Sequence, residues 1–179
     1  IDNIFSSLIK EIGYQISKTV VVNKVVMNSK EVEKNNLFVA IRGGNAYANE
    51  ALEKGAFVIY DDNTINLNSN PNSFLVDDSV KFMQKLAHQW RNTLNIKIIG
   101  ITGSNGKTTV KDMVFQLLST KYKGKKTEGN YNNHIGLPFT LLRSEKNDDF
   151  MFLEMGMSDF GEIELLAKIS EPIIGIIIK

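Results

Sequence analysis

The sequence contains no cysteine, so disulfides and thiolate metal sites are excluded. It has no marked excess of either charge: 21 lysines and arginines face 20 aspartates and glutamates, for a net charge of +1. A dedicated nucleic-acid binder concentrates basic residues on one face. Here the one basic cluster, KYKGKK from Lys121 to Lys126, reads as a solvated turn between two elements, and no nucleic-acid partner is expected. No apolar run approaches the roughly 20 residues of a membrane span. The amino terminus, IDNIFSSLIKEIG, has no basic n-region and small-residue cleavage site, so it does not read as a signal peptide. A cytoplasmic protein without a membrane span is expected. No internal repeat is evident. Hydrophobic residues are plentiful, 42% of 179, enough for one large domain or two small ones.

The first part of the chain mixes short elements. Ile1, Ile4, Phe5, Leu8, Ile9 and Ile12 recur at helical spacing. The β-branched run Thr19–Met27 reads as extended, and Asn36–Gly44 as a strand ending on a glycine pair. AYANEALEKGA predicts a helix closed by Gly55. FVIYDD and FLVDD are two further strands, joined by the turn-rich segment Asn63–Ser73, which is expected to be an exposed loop. A helix capped by Ser79 then places Val80, Met83, Leu86, Ala87 and Trp90 on one face. Beyond it, apolar strands and helices alternate: IKIIGIT, GKTTVKDMVFQLLST, an extended piece near KKTEG, HIGLPFTLLR, DFMFLEMG, GEIELLAKI and IIGIII. That alternation predicts a parallel sheet covered on both faces.

The fold class is therefore α/β. A small mixed domain over residues 1–80 precedes a P-loop-type parallel-sheet domain with helices on both faces over residues 81–179. A ligand site in such a sheet lies at the carboxyl ends of its strands. Residues beyond Lys179 are expected to contribute to it, so the second domain reads as truncated.

The chemistry concentrates in IIGITGSNGKTT, Ile98–Thr109. The strict phosphate-loop pattern requires glycine five residues before Gly106, and Ile101 stands there instead. Glycine recurs every third residue, at Gly100, Gly103 and Gly106, followed by Lys107, Thr108 and Thr109. Gly103 and Gly106 let backbone amides, with those of Ser104 and Asn105, approach an anion at the start of a helix. Lys107 can neutralise phosphate charge and the Thr108 hydroxyl can coordinate Mg²⁺. Glu154 ends an apolar strand at the same sheet edge, where an ionised carboxylate is costly unless paired or metal-bound. Asn130, Asn132, Asn133 and His134 form a third cluster ahead of a helix, more amide and imidazole groups than capping requires. His134 reads equally as a surface residue or a ligand. His88, inside an amphipathic helix, reads as structural.

GITGSNGKTT, GNYNNHIGLP and EMGMSDFGEIELLAKISEP resemble, in order and spacing, the Mur ligases, ATP-dependent amide-forming enzymes of peptidoglycan synthesis. The combination is most similar to the branch that joins D-Ala-D-Ala to UDP-N-acetylmuramoyl-tripeptide. NSKEVEKNNLFVAIRGGNAYANEALEKGA is similar to the family's uridine-nucleotide segment and points to Ser29. Two departures accompany it. Asn28, Ser29 and Lys30 stand where the family usually has Asp-Ser/Thr-Arg, and the stretch after Gly44 lacks an Asp-Gly-His-like piece.

The resemblance implies ATP and Mg²⁺ as cofactors, UDP-N-acetylmuramoyl-peptide and D-Ala-D-Ala as substrates, and a monomer. It implies catalytic roles for Lys107, Glu154 and Asn133, a metal held by Thr108 and Glu154, and an acyl phosphate that the incoming amine attacks. Substrate contacts would come from Ser29, Asn130, Asn132, Asn133 and His134. A complete family member also has a further histidine ligand, a modified lysine and a third domain. The chain is therefore expected to be an amino-terminal piece that does not form amide bonds alone. Two alternatives remain open. One is a related ligase, such as a folylpolyglutamate-synthase-like enzyme, although those usually have glycine where this chain has Thr108. The other is a non-catalytic nucleotide- or anion-binding module.

Overall fold

The computed structural model describes residues 1–16, 19–67 and 69–179. The chain divides into two compact units, Ile1–Leu86 and Ala87–Lys179.

In the first unit, helix α1 (Asp2–Glu11) lies ahead of strands β1 (Val25–Val26), β2 (Leu37–Val39) and β3 (Phe57–Tyr60), with helix α2 (Ala48–Glu53) between the last two. Strand β4 (Ser73–Leu75) completes a four-stranded parallel sheet of order β1-β2-β3-β4. Helix α1 forms because Phe5, Leu8 and Ile9 share one stripe, and all three are buried. Phe5 sits edge-on to Phe57, Phe74 and Phe82, with ring centroids 5.8, 5.7 and 6.3 Å away. Ala48, Ala51 and Leu52 of α2 join Phe38, Val58 and Tyr60 in one apolar cluster.

Several expected boundaries move, each for a local reason. Only Val25 and Val26 of the run Thr19–Met27 form a strand; upstream, the Val22 amide donates to the Asp2 carboxylate (3.0 Å) instead of a ladder. The strand at Asn36 stops at Val39, and the glycine pair lies in a 3-10 turn, Arg42–Tyr47. Asn68, within the linker 63–73, lies outside the described residues. That linker is not simply exposed: Leu67 is buried, and the Ser73 hydroxyl donates to its carbonyl (2.6 Å). Helix α3 (Ser79–Asn92) is capped by Asp78, not Ser79. The Asp78 carboxylate accepts from the Lys81 amide (2.9 Å), while the Ser79 amide donates to Asp61 (3.0 Å).

In the second unit, β5 (Lys97–Gly103), α4 (Lys107–Ser119), β6 (Gly124–Lys126), α5 (Gly136–Leu142), β7 (Phe150–Glu154), α6 (Glu162–Ser170) and β8 (Ile174–Ile178) follow one another. The sheet is parallel, with order β6-β7-β5-β8. Ile99, Ile101 and Phe152 pack under Val110, Val114 and Leu118 of α4. The alternate residues Ile98, Met151 and Leu153 are fully buried as well, so the strands read as continuously apolar because both faces are covered. Strand β8 was expected to be buried. It is one of the two edge strands, with β6 at the other edge, and leaves Ile174 and Ile177 exposed. Among the described residues no helix is long and apolar enough to cross a membrane.

Phe5 is fully buried against three rings, so Phe5→Ala should destabilise the first unit by about 3–5 kcal/mol. Urea denaturation checks this; an unchanged midpoint would mean that the aromatic cluster does not hold α1 to the sheet.

Candidate phosphate-binding site

Strand β5 lies between β7 and β8 and delivers the glycine-spaced loop to the carboxyl edge of the sheet. At Gly103 (φ +141°) a Cβ would lie 1.9 Å from the carbonyl oxygen of Ile178, so only glycine fits against the neighbouring strand. Gly106 (φ +77°) supplies the left-handed turn before α4. The first full helical turn closes when the Val110 amide reaches the Gly106 carbonyl (2.9 Å). Amides ahead of that point have no intrahelical acceptor, and with the helix dipole they favour an anion. Ser104, Asn105, Gly106, Thr108 and Thr109 are exposed around this helix start. The Lys107 ammonium folds back across the loop and donates to the Gly103 carbonyl (2.7 Å).

Glu154 ends β7 in register with Ile101 of β5, and it is 4% exposed. Three side chains converge on its carboxylate. The Thr108 hydroxyl donates to Oε2 (2.9 Å), the Asn132 carboxamide donates to Oε1 (3.1 Å), and the Lys111 ammonium lies 3.6 Å from Oε2. The Glu154 amide donates to the Thr127 hydroxyl (2.9 Å), and the Lys111 ammonium donates to the Thr127 carbonyl (2.8 Å). A buried carboxylate is tolerated only with such partners.

The Asn-rich segment divides its work. Asn133 was expected beside the reacting groups. Its Oδ1 accepts from the amides of Ile135 (3.1 Å) and Gly136 (2.9 Å), closing the turn ahead of α5. Asn132 is the member that reaches the carboxylate, and its own carbonyl accepts from the Gly156 amide (2.8 Å). Asn130 contributes its carbonyl to the turn, accepting from the Asn132 amide (2.8 Å). Gly136 is needed because a Cβ there would lie 2.3 Å from the Tyr131 Cα.

His134 lies near Glu162. The amides of Ser158 and Asp159 hold the Glu162 carboxyl below its ordinary range, and His134 adds a smaller pull. His88 is structural, its Nδ1 lying 3.3 Å from the Ile169 carbonyl. In the first unit, Ser29 begins a 3-10 turn after β1, where Asn28 Oδ1 accepts from the Lys30 amide (3.1 Å).

Lys107, Thr108 and Glu154 are thus assembled at one sheet edge as the sequence suggested. Lys111 and Thr127 were missed. The signal for Lys111 was its spacing: it follows Lys107 by four residues and Thr108 by three, so all three share one helical face. Thr127 left no such trace.

Among the described residues no group of three or more histidine or carboxylate side chains can hold a metal. A lone carboxylate beside a threonine hydroxyl fits Mg²⁺, which retains waters and is commonly held by one or two carboxylates plus phosphates. The arrangement can therefore cradle a phosphate chain and its cation. It lacks the donors for a cage made of protein alone.

Comparison with known proteins agrees with this geometry. Residues 101–179 match the Mur ligase middle domain. The UDP-N-acetylmuramoyl-tripeptide–D-alanyl-D-alanine ligase of Bacillus subtilis (strain 168) is 41% identical over 157 residues, 85% of this chain and 34% of the relative. The enzyme of the same name from Synechocystis sp. is 38% identical over 167 residues, 90% of this chain and 37% of the relative. The chain therefore spans about a third of the length of these curated relatives. Among solved structures, the MurF ligase of Thermotoga maritima in complex with ADP superposes with a TM-score of 0.76 at 38% identity, covering 87% of this chain and 37% of that one. A D-alanyl-D-alanyl ligase from Acinetobacter baumannii superposes with a TM-score of 0.84 at 26% identity, covering 96% of this chain and 40% of that one. The loop, the strand-end glutamate and the relatives are consistent with one another, and residues 101–179 belong to the Mur ligase family as its middle domain.

Proposed function

We propose that the chain carries the ATP-phosphate site of an amide ligase that joins D-Ala-D-Ala to UDP-N-acetylmuramoyl-tripeptide through an acyl phosphate. The observation that carries this reading is the meeting of a loop threonine, Thr108, and a substrate-segment amide, Asn132, on the buried carboxylate of Glu154. A loop built only to bind an anion has no need for that carboxylate. The names of the relatives point to the same reaction.

In this reading the amides from Gly103 to Thr109 hold the phosphate chain, and Lys107 exchanges the Gly103 carbonyl for a γ-phosphate oxygen. Thr108 and Glu154 hold Mg²⁺, which when bound offsets charge on the phosphates. The tripeptide carboxylate attacks the γ-phosphorus, the bond to ADP breaks, and the acyl phosphate forms. The dipeptide amine then adds to the acyl carbon, and the tetrahedral intermediate expels phosphate. Lys107 offsets the charge that builds during transfer because it is already at the loop mouth and needs little rearrangement.

We assign the positioning role expected of Asn133 to Asn132, which keeps Glu154 aligned, while Asn133 keeps the turn. Asn130 and His134 line the acceptor side. Ser29, at the carboxyl end of a parallel strand, is assigned to the uridine nucleotide. A cytoplasmic, monomeric setting belongs to the same reading.

Three measurements on the full-length protein check it. Lys107→Ala should weaken Mg-ATP binding by about 1.5–3 kcal/mol, roughly ten- to a hundredfold in Kd by calorimetry; an unchanged Kd removes the phosphate role. Glu154→Gln should bind ATP alone as the unmodified protein does but lose most of the added affinity that Mg²⁺ provides. An equal Mg²⁺ enhancement in both proteins would take Glu154 out of the cation site. Finally, ADP release with UDP-N-acetylmuramoyl-tripeptide should require D-Ala-D-Ala, and turnover indifferent to the dipeptide would point to another amine.

A further inference from the structure

The phosphate chemistry leaves one buried charge unused. Lys111 is 2% exposed, and its ammonium is fastened to the carbonyl of Thr127 (2.8 Å), itself a fully buried residue. Two carboxylates lie near it. Asp112 is 3.8 Å away, but it is half-exposed and is already paired with Lys126 at 2.8 Å. Glu154 is 3.6 Å away and as buried as the lysine. Lys111 is therefore the permanent counter-cation of Glu154 on the buried side, while Thr108, on the exposed side, bonds the same oxygen. Thr127 also links the two charged residues: its hydroxyl accepts from the Glu154 amide and its carbonyl accepts from the Lys111 ammonium, so one buried residue holds both.

A divalent cation held by Thr108 and Glu154 would share one carboxylate with this ammonium. Two cations competing for one anion in a poorly screened site repel each other, and burial leaves Lys111 no way to retreat. We propose that Lys111 is a positioning residue with two effects. It keeps Glu154 aligned when no metal is bound, and it weakens the site for a bare divalent cation so that the metal enters only with the phosphates of a nucleotide. The phosphates bring the negative charge that the lysine has cancelled. This inference rests on the proposed role of Thr108 and Glu154 as ligands of a nucleotide-borne cation.

Mn²⁺ titrations of the full-length protein, with free Mn²⁺ followed by electron paramagnetic resonance, test it with and without ATP. The unmodified protein should bind Mn²⁺ weakly alone and far more tightly with ATP. Lys111→Met, of similar length but uncharged, should bind Mn²⁺ alone at least about tenfold more tightly, roughly 1.4 kcal/mol, and Mn²⁺ should raise its melting temperature more than it raises that of the unmodified protein. Lys111→Arg should behave as the unmodified protein does. The double variant Lys111→Met/Glu154→Gln should lose the gain. A lysine that only supports the fold predicts weaker metal binding on its removal, so equal or weaker Mn²⁺ affinity in a folded Lys111→Met overturns the inference.

A second arm needs no variant: if the unmodified protein binds Mn²⁺ as tightly without ATP as with it, the inference also fails. If the unmodified protein holds no Mn²⁺ even with ATP while Lys111→Met gains a site, the nucleotide reading is lost together with the phosphate-dependent entry built on it, and only the weakening of the cation site by Lys111 stands.

Discussion

A buried carboxylate at the end of a strand has to be matched by donors, and in this protein the match organises the second unit. Glu154 draws a hydroxyl from helix α4, a carboxamide from the Asn-rich turn and an ammonium from one turn further along α4. Its backbone amide ties it to Thr127, just past strand β6. Three separate pieces of the chain, helix α4, the Asn-rich turn and the residue after β6, thus have their positions set by one acid. Desolvation of the carboxylate is offset only if all of them arrive together, so folding the sheet and assembling the site are the same event. The glycines act on the same edge by another route. Gly103 admits the Ile178 carbonyl where no side chain fits, and Gly106 turns the backbone into helix α4.

The sequence carried much of this in a form that elementary rules can read. The strand-loop-helix around Gly103 to Thr109, the parallel sheet and the placement of Glu154 at its edge follow from apolar runs that alternate with helical periodicity. The division of the Asn-rich segment did not. Asn132 and Asn133 are adjacent and chemically identical, and only the path of the turn decides which one caps α5 and which reaches Glu154. Lys111 was hidden because a lysine in a helix is usually solvated, and its burial depends on a partner 43 residues away in the chain, Glu154. Two of the boundaries that moved in the first unit share one cause: a side chain took the backbone amide, as Asp2 does at Val22 and Asp61 at Ser79.

The two units contribute differently to function. The second holds the glycine-spaced loop and strand-end glutamate proposed to take phosphate, and the relatives extend well beyond the length of this chain. The first offers a parallel sheet whose strands end on turns at Ser29 and Arg42, and Arg42 holds a left-handed backbone (φ +57°) without being glycine. Left-handed backbone at a non-glycine residue persists only where its surroundings hold it in place. A few residues on, the Asn45 carboxamide donates to the Asp61 carboxylate (2.7 Å). Asn45 thus stands in the stretch where the family's Asp-Gly-His-like piece is absent, and it gives that stretch a brace of its own.

The central claim is that ATP is used to activate a carboxylate at this site. Oxygen-18 placed in the terminal carboxylate of UDP-N-acetylmuramoyl-tripeptide tests it most directly, with mass analysis of the phosphate released by the full-length protein during coupling to D-Ala-D-Ala. Attack of the carboxylate on the γ-phosphorus, followed by expulsion of phosphate from the acyl carbon, predicts one labelled oxygen in each phosphate. Phosphate released without label while the amide forms would contradict the acyl-phosphate route, and with it the role given to the loop.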